Sequence, residues 1–291
     1  MRDESLEQLL MLGEPEAVVA AVGSLGLTEE LARRAWWAME DADNARRMLQ
    51  NPNIVASGMG PVLADYVLDY LPFETETDQQ TDSVRLILQP GLLGPAKVDD
   101  LWSKSGRKQA YLVGFLQARP DDLPQPLAPR SDADVLADQL APLSGAGNPA
   151  ARLLLRALSG AGQTYLKTVA AVLEKPPNQD VVTAAFDCLR DYFADLRPEG
   201  DPKLPLPELE AEAQAFAAGD GAPVAVQALL ASCPQARGDV AAMRILSGLG
   251  YGVIRPVLRD PTTLGSLMRR KLQPIMDPIQ AQLASLRRAE G

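Results

Sequence analysis

The sequence of 291 residues contains no histidine. Histidine is the side chain that titrates near neutral pH without perturbation, and its imidazole is the commonest nitrogen ligand of zinc, iron and copper. Its absence excludes Ser-His-Asp and Cys-His nucleophile activation, zincin-type hydrolysis and haem ligation by a proximal histidine. We therefore expect no catalytic residues, no cofactor and no metal site of the familiar kinds.

Cysteine and aromatic residues are scarce as well. The two cysteines, Cys188 and Cys233, lie far apart and each falls in a helical pattern, so buried reduced thiols are favoured over a disulfide or a redox site. Aromatic residues make up 5% of the chain, while alanine and leucine dominate the apolar set. Helix formers outnumber the residues that strands prefer, which predicts an all-α protein.

Basic residues and long apolar runs are also limited. The 28 basic and 38 acidic residues give a formal charge of -10, which disfavours nucleic-acid binding, including RNA binding by helical repeats. No apolar run reaches the length of about 18 residues that a transmembrane helix needs. Residues 1–4 are mostly charged and lack an apolar signal core. These observations predict a cytoplasmic protein without membrane insertion.

The first hundred residues show a succession of short helical patterns joined by tight turns. Thr28 is placed as an N-cap, Pro15 in a first turn, and Asn51-Pro52 between two helices. Such a succession is typical of an irregular HEAT-like α-solenoid, in which each hairpin stacks on the next to bury its apolar face. The predicted helices are 4–12, 15–23, 28–40, 42–50, 53–71, 79–89 and 95–103.

A proline-rich stretch at 119–130 is predicted to be non-helical and to separate two domains. The first, 1–124, is the helical-hairpin array. The second, 131–291, is a C-terminal region resembling a helical bundle, with another proline-rich interruption at 198–207 before a helix near Glu208. Two glycine-containing segments, 144–147 and 159–162, are interpreted as helix C-termini, since neither continues into a phosphate-binding motif.

Apolar residues recur at helical spacing in three windows and predict which face of each helix is buried. In 264–286, Pro274 and Pro278 interrupt the pattern and predict a kink or two shorter helices. In 53–71 the predicted core positions are Val55, Met59, Val62, Tyr66 and Tyr70. In 181–196 they are Val182, Phe186, Leu189, Phe193 and Leu196. In 264–286 they include Leu264, Leu267, Met268, Leu272, Ile275, Ile279, Leu283 and Leu286.

Positive charge and aromatic rings concentrate at residues 101–116 of this acidic chain. Lys104, Arg107 and Lys108 lie beside Trp102 and Tyr111, a combination suited to an anion or an acidic partner segment. The alternative is a basic turn between helices whose aromatic rings anchor the neighbouring helices. A further basic cluster at 269–271 is interpreted as a solvated helix face, since three charges give little affinity for nucleic acid.

Trp36 and Trp37 point to different sides of one helix and cannot fill the same core. One ring packs inward while the other contacts a neighbouring helix or a partner, or both pack between two helical layers. The candidate partner-binding residues are Trp36, Trp102, Lys104, Arg107, Lys108 and Tyr111.

Six short segments of residues 10–125 form a recognisable set: Trp36-Trp37, Tyr70–Glu74, Arg85–Leu93, Leu101-Trp102, Arg107–Phe115 and Asp121–Pro124. Together they resemble the DsrS-type sulfur reduction proteins. That family accompanies the dissimilatory sulfite reductase system of sulfur-oxidising bacteria. The resemblance implies a cytoplasmic accessory or regulatory protein of sulfur metabolism, and it transfers no catalytic residue to this chain.

The sequence therefore predicts a non-enzymatic, protein-binding accessory factor, in the context of cytoplasmic sulfur oxidation. The alternative is an enzyme or a small-ligand-binding protein with a lysine, carboxylate or cysteine site. A buried Lys167 or a Cys188 thiolate would be its centre. The identity of the partner and the oligomeric state are left open.

Overall fold

The computed structural model describes residues 3–197, 204–219, 221–258 and 265–287. All regular structure in these ranges is helical, and they contain no strand, which confirms the predicted all-α class. The chain forms two compact units, Met1–Ala118 and Arg119–Gly291, here called unit 1 and unit 2.

Unit 1 is built from short helices that pack on their close neighbours in the sequence. Each pair of helices with extensive contact lies at most three positions apart in chain order, such as Thr77–Ile87 (α7) with Gln109–Ala118 (α9). The helices are α1 (Asp3–Met11), α2 (Pro15–Val22), α3 (Glu29–Ala38), α4 (Ala42–Leu49), α5 (Pro52–Val55), α6 (Met59–Tyr70), α7 (Thr77–Ile87), α8 (Pro95–Ser105) and α9 (Gln109–Ala118), with a 3₁₀ turn at Leu71–Phe73.

The predicted helix starts in unit 1 are confirmed by their capping contacts. The Thr28 hydroxyl accepts a hydrogen bond from the backbone N–H of Leu31 at the start of α3. Pro15 occupies the first turn of α2, where its missing N–H costs no helical hydrogen bond. Asn51 caps α5 by accepting from the N–H of Asn53, after α4 has ended.

The prediction of one helix over 53–71 is wrong. The chain forms α5, a break, and then α6, because Gly60 lets the backbone turn tightly: a Cβ at this position would lie 2.4 Å from the carbonyl oxygen of Val55. The buried face of α6 carries Leu63 and Val67. The predicted core positions Val62 and Tyr70 are instead 50% and 42% exposed.

Unit 2 is built around one central helix. That helix, Arg237–Ser247 (α16), packs on Gln179–Tyr192 (α13), Leu206–Ala218 (α14) and Gly265–Arg287 (α18). Helix α18 also contacts Pro149–Leu158 (α11), Gly160–Glu174 (α12) and Tyr251–Ile254 (α17). The proline-rich stretch 119–130 is non-helical, as predicted. The helices of unit 2 are α10 (Ala133–Gly145), α11 (Pro149–Leu158), α12 (Gly160–Glu174), α13 (Gln179–Tyr192), α14 (Leu206–Ala218), α15 (Val224–Ser232), α16 (Arg237–Ser247), α17 (Tyr251–Ile254) and α18 (Gly265–Arg287), with 3₁₀ turns at Ala194–Leu196 and Pro234–Ala236.

Two predicted stripes of unit 2 can be compared with the structure. All five apolar positions predicted for 181–196 are buried, on α13 and the 3₁₀ turn after it. In the last window, α18 runs as one helix through Pro274 and Pro278, so two shorter helices are not formed. Its predicted core positions are buried except Leu267, which is 46% exposed, and Leu264, which lies outside the described residues.

The glycines at 159–162 begin a helix, which corrects the C-terminal interpretation. Ser159 caps α12 by accepting from the N–H of Gly162. A Cβ at Gly160 would lie 2.4 Å from the carbonyl oxygen of Leu127, so the proline-rich stretch covers this helix start. The other segment, 144–147, does end α10, with Gly147 at a positive φ of 85°.

Of the second predicted proline-rich interruption, 198–207, residues 198–203 lie outside the described residues. The following helix, α14, begins at Leu206, close to the predicted start near Glu208.

Candidate functional site

The basic residues predicted at 101–116 lie at the corner between α8 and α9. Lys104 is paired with Asp100 on the same helix, with 2.5 Å between Nζ and Oδ2. Lys108 donates to the Tyr111 hydroxyl at 2.8 Å and also lies over the Tyr111 ring. Arg107 is exposed and has no ion pair with any described residue. The Arg107 guanidinium is thus the cation of this corner that no described carboxylate neutralises.

The aromatic rings of the same corner hold helices together. Trp102 is half-buried and meets Phe115 edge to face, with ring centres 5.0 Å apart. Tyr111 is buried, and its hydroxyl donates to the Leu71 carbonyl oxygen at 3.2 Å. The geometry matches the alternative interpretation of this stretch, an anchoring turn between helices. Trp102 and Tyr111 therefore offer little surface for a direct contact.

The two adjacent tryptophans separate into one inward and one outward ring. Trp36 is 9% exposed and packs edge to face on Tyr66, with ring centres 4.7 Å apart. Trp37 is 86% exposed. The Trp36 ring is covered by Tyr66 and leaves little surface for the partner contact that was predicted for it. The exposed ring, Trp37, was not among the predicted contact residues.

An aromatic row extends outward from Trp36 along α6. We define this aromatic row as Tyr66, Tyr70 and Phe73. The rings of Tyr66 and Tyr70 are nearly parallel, with centres 6.3 Å apart, and the Tyr70 and Phe73 centres are 6.1 Å apart. Phe73 is 74% exposed. The row thus begins against the core and ends in solvent.

The aromatic row connects the predicted residues that the sequence left separate. Trp36 packs on the Tyr66 end. At the other end, Leu71 lies between Tyr70 and Phe73 and accepts the Tyr111 hydrogen bond, and Tyr111 in turn accepts from Lys108. Trp36, Tyr111 and Lys108 thus hold the two ends of the row in place and contribute little exposed aromatic surface themselves.

Acidic side chains accompany the aromatic row. Burial raises the pKa of Tyr66, and the charges of Asp41 and Glu40 raise it further, so both carboxylates act on this ring. Asp69 is exposed on α6 between Tyr66 and Tyr70. Glu76 is exposed three residues after Phe73. The surface therefore combines open aromatic rings with negative charge.

The two centres proposed for an enzyme are not formed. Lys167 is exposed on α12, not buried. Burial raises the pKa of the Cys188 thiol to about 12, which keeps it protonated and unreactive at neutral pH. Burial also raises the pKa of Cys233. Both cysteines are free and buried, as the sequence predicted.

Neither a metal cluster nor a membrane span emerges from the part of the chain that the structure describes. In that part, no three cysteine or carboxylate side chains lie together where they could hold a metal ion. Its helices include none with both the length and the apolar character needed to cross a bilayer. No family model, curated protein or solved structure matches the chain.

The signal for the aromatic row is present in the sequence. Val62, Tyr66, Tyr70 and Phe73 follow each other at spacings of four, four and three, which places them on one helical face. A second apolar face, Leu63 to Leu71, runs beside it. Periodicity alone does not say which of two apolar faces is buried, so the outer face was assigned to the core.

Proposed function

We propose that this protein is a non-enzymatic accessory factor that binds a protein partner through the aromatic row of unit 1. The proposal rests on the exposure of Phe73 and Tyr70 in the row. Trp37, next to Trp36 in the sequence, is a further exposed ring of unit 1. Aromatic residues are few in this chain, and exposed rings of this size are typical anchors of protein interfaces. A solvated helix face would carry polar side chains here.

The partner segment is expected to be basic and partly apolar. Asp69, Glu40 and Glu76 give the surface a negative charge, which attracts lysine and arginine side chains. Arginine also stacks on the faces of tyrosine and phenylalanine, so one residue type satisfies both features of the surface. An acidic partner, which the corner at 101–116 was predicted to bind, would be repelled.

The arrangement of unit 1 supports a HEAT-like helical array as the scaffold of this surface. Its helices pack on partners close in sequence, as stacked hairpins do. Such arrays present extended faces to protein partners. The setting in cytoplasmic sulfur oxidation rests on the sequence resemblance to DsrS-type proteins alone, and subunits of a dissimilatory sulfite reductase system are the partners to test.

The experiment is affinity capture from native extract at low and high salt, followed by titration of the purified partner. Four chains are compared: wild type, Tyr70→Ala with Phe73→Ala, Arg107→Glu with Lys108→Glu, and Val224→Ser. Val224 is the matched control, since it is 81% exposed and lies in unit 2. Loss of two anchor rings is expected to cost at least about 2 kcal/mol, a weakening of roughly 30-fold.

The four chains distinguish the two surfaces. The aromatic row is supported as the binding surface if salt weakens partner binding, the Tyr70→Ala/Phe73→Ala variant loses it and the Arg107→Glu/Lys108→Glu variant keeps it. Binding lost only in the charge reversal would assign the contact to the 101–116 corner. Failure of wild type to retain any partner, or equal loss in Val224→Ser, would contradict the proposal.

A further inference from the structure

A cleft of about 810 Å³ opens in unit 2 between α13 and the segment around α17. Its volume lies within the usual range of small-molecule sites, roughly 300–1,000 Å³. Thr183, Asp187 and Arg190 line one side, at positions four and three apart on α13. The opposite side is formed by residues 249–258. The cleft is distinct from the aromatic row, which belongs to unit 1.

Three arginines line this cleft: Arg190, Arg197 and Arg255. Arg190 is neutralised, because it pairs with Asp187 and also donates to Asp191 at 2.9 Å. Arg197 and Arg255 are exposed to the cleft side and form no ion pair with any carboxylate in the described ranges. Two guanidinium groups without an ion pair in the described ranges thus share one cleft in a chain of net charge -10, although the charge of Arg197 also acts on Asp187.

The rest of the lining is apolar and includes an available ring. Pro256 is exposed and the Tyr251 side chain is 50% exposed, whereas Leu249 and Leu258 border the cleft but are almost fully buried. Gly250 leaves room in front of Arg190, since a Cβ there would lie 4.0 Å from the Arg190 Nη1. Burial raises the pKa of Asp187 although Arg190 opposes the shift, so this side of the cleft is partly shielded from water.

We propose that the cleft binds a small organic phosphate that carries a planar ring, with Arg197 and Arg255 on the phosphate and Tyr251 against the ring. Guanidinium groups match the geometry of phosphate oxygens and donate two hydrogen bonds in parallel. The exposed Tyr251 face and the Pro256 ring remove the ligand ring from water. A neutral nucleoside would contact Tyr251 but not the two arginines, and inorganic phosphate would contact the arginines but not Tyr251.

A second basic cleft in unit 2 provides the control. It measures about 350 Å³ and contains Arg269 and Arg270, but Glu174 and Asp277 also line it. Its positive charges are therefore balanced by carboxylates. Arg269→Gln removes one cation from the same unit without touching the larger cleft.

The test is isothermal titration calorimetry of the full chain with AMP, GMP, CMP and UMP, and with adenosine and inorganic phosphate as partial ligands. We expect saturable one-site binding of at least one nucleotide. Adenosine should bind at least 10-fold more weakly than AMP, and inorganic phosphate at least 10-fold more weakly than the tightest nucleotide. Circular dichroism spectra of all variants check that the helices are intact.

Variants decide which groups are responsible. Arg197→Gln and Arg255→Gln should each weaken nucleotide binding at least 10-fold, while Arg269→Gln leaves it unchanged. Tyr251→Ala should weaken nucleotide binding and leave phosphate binding unchanged, because only the ring loses its contact. The proposal is overturned if no nucleotide in the panel binds, or if Arg269→Gln weakens binding as much as Arg255→Gln does.

Discussion

The two units of this protein form their cores in opposite ways. Unit 1 joins helices that are neighbours in the sequence, whereas unit 2 returns α18 to α11 and α12, more than a hundred residues earlier. Each unit contains a buried arginine with a buried carboxylate. Arg46 meets Glu74 over 28 residues, and Arg130 meets Asp239 over 109 residues. The same kind of contact thus connects adjacent hairpins in one unit and distant parts of the chain in the other.

The sequence places a separate reporter in each unit. All three tryptophans, Trp36, Trp37 and Trp102, lie in unit 1, while Cys188 and Cys233 lie in unit 2. Tryptophan fluorescence therefore follows unfolding of unit 1, and thiol labelling follows exposure of the buried cysteines of unit 2. The comparison of the two units can be tested in the intact chain.

The largest expected effect is on unit 2, from Asp239→Asn. The Arg130 guanidinium donates to both Asp239 oxygens at 2.8 Å and also contacts the Leu286 carbonyl oxygen. Replacing the Asp239 carboxylate leaves the buried Arg130 with the partly exposed Asp132 as its remaining ion-pair partner. We therefore expect a cost of about 3 kcal/mol, the lower end of the range for breaking a buried pair. Urea unfolding should show thiol labelling at much lower urea, with the tryptophan transition unchanged.

The matched control for that variant is Asp122→Asn, which removes an exposed carboxylate paired with Arg119. We expect less than about 1 kcal/mol from this surface pair. If both variants have the same small effect, the buried pair does not stabilise unit 2. If Asp239→Asn shifts the tryptophan transition equally, the two units do not unfold separately.

A smaller effect is expected in unit 1 from Gly114→Ala. Helices α7 and α9 meet at this glycine, where a Cβ would lie 2.6 Å from the Val84 Cβ and 2.9 Å from the Thr81 carbonyl oxygen. The backbone must shift to admit the methyl group, at a cost of about 1–3 kcal/mol. The tryptophan transition should move to lower urea, and thiol labelling should not.

Gly106→Ala tests the same substitution without a close contact. Gly106 has helical backbone angles, and a Cβ there meets no atom within 4 Å. Alanine restricts the unfolded chain, so unit 1 should gain about 0.4–1 kcal/mol. A similar loss of stability in both variants would contradict the close packing of α7 on α9.

The smallest effect concerns pH and Glu74. Burial raises the pKa of Glu74, against the hydrogen bond from Ser83 and the charge of Arg46, and the Oε2 atom has no hydrogen-bond partner. The folded state therefore binds a proton at a pH where the unfolded chain does not. This contribution makes unit 1 more stable as the pH falls from neutral towards the ordinary glutamate value of about 4.3, and less stable as the pH rises.

The pH effect is measured from the tryptophan transition in urea between pH 7 and pH 5. Glu74→Gln should flatten the slope, since glutamine does not titrate. Asp187 also has a raised pKa but lies in unit 2, so the thiol signal reports it separately. An unchanged slope in Glu74→Gln would assign the pH dependence to other groups.

Local chemistry predicted the all-α class and several helix starts. Capping residues such as Thr28 and Asn51 mark helix starts because their side chains satisfy free backbone N–H groups. The apolar stripe on α13 predicted the buried face because polar side chains cover its other side. Pro274 and Pro278 predicted a kink or two shorter helices, and the two shorter helices are not formed: α18 is continuous through both prolines and packs on α12 and α16.

The two candidate functional surfaces could not be predicted from sequence spacing, because tertiary contacts determine which side chains are exposed and which distant residues meet. Trp36 and Trp37 are alike in sequence, and tertiary contact with Tyr66 decides which ring is buried. Arg190 and Arg255 are 65 positions apart in the chain and meet at one cleft through the fold of unit 2. Clusters of neighbouring residues were visible in the sequence, whereas this distant pairing was not.

The closure of unit 2 by α18 has a consequence for protein synthesis. Unit 1 has the contacts of its core within short stretches, so its helices can pack while later residues are still being added. The face of α12 that receives α18 stays open until residues 265–287 have left the ribosome. During that interval the nascent chain exposes apolar surface, and a pause in translation before α18 would prolong the time in which chaperones or other chains can bind it.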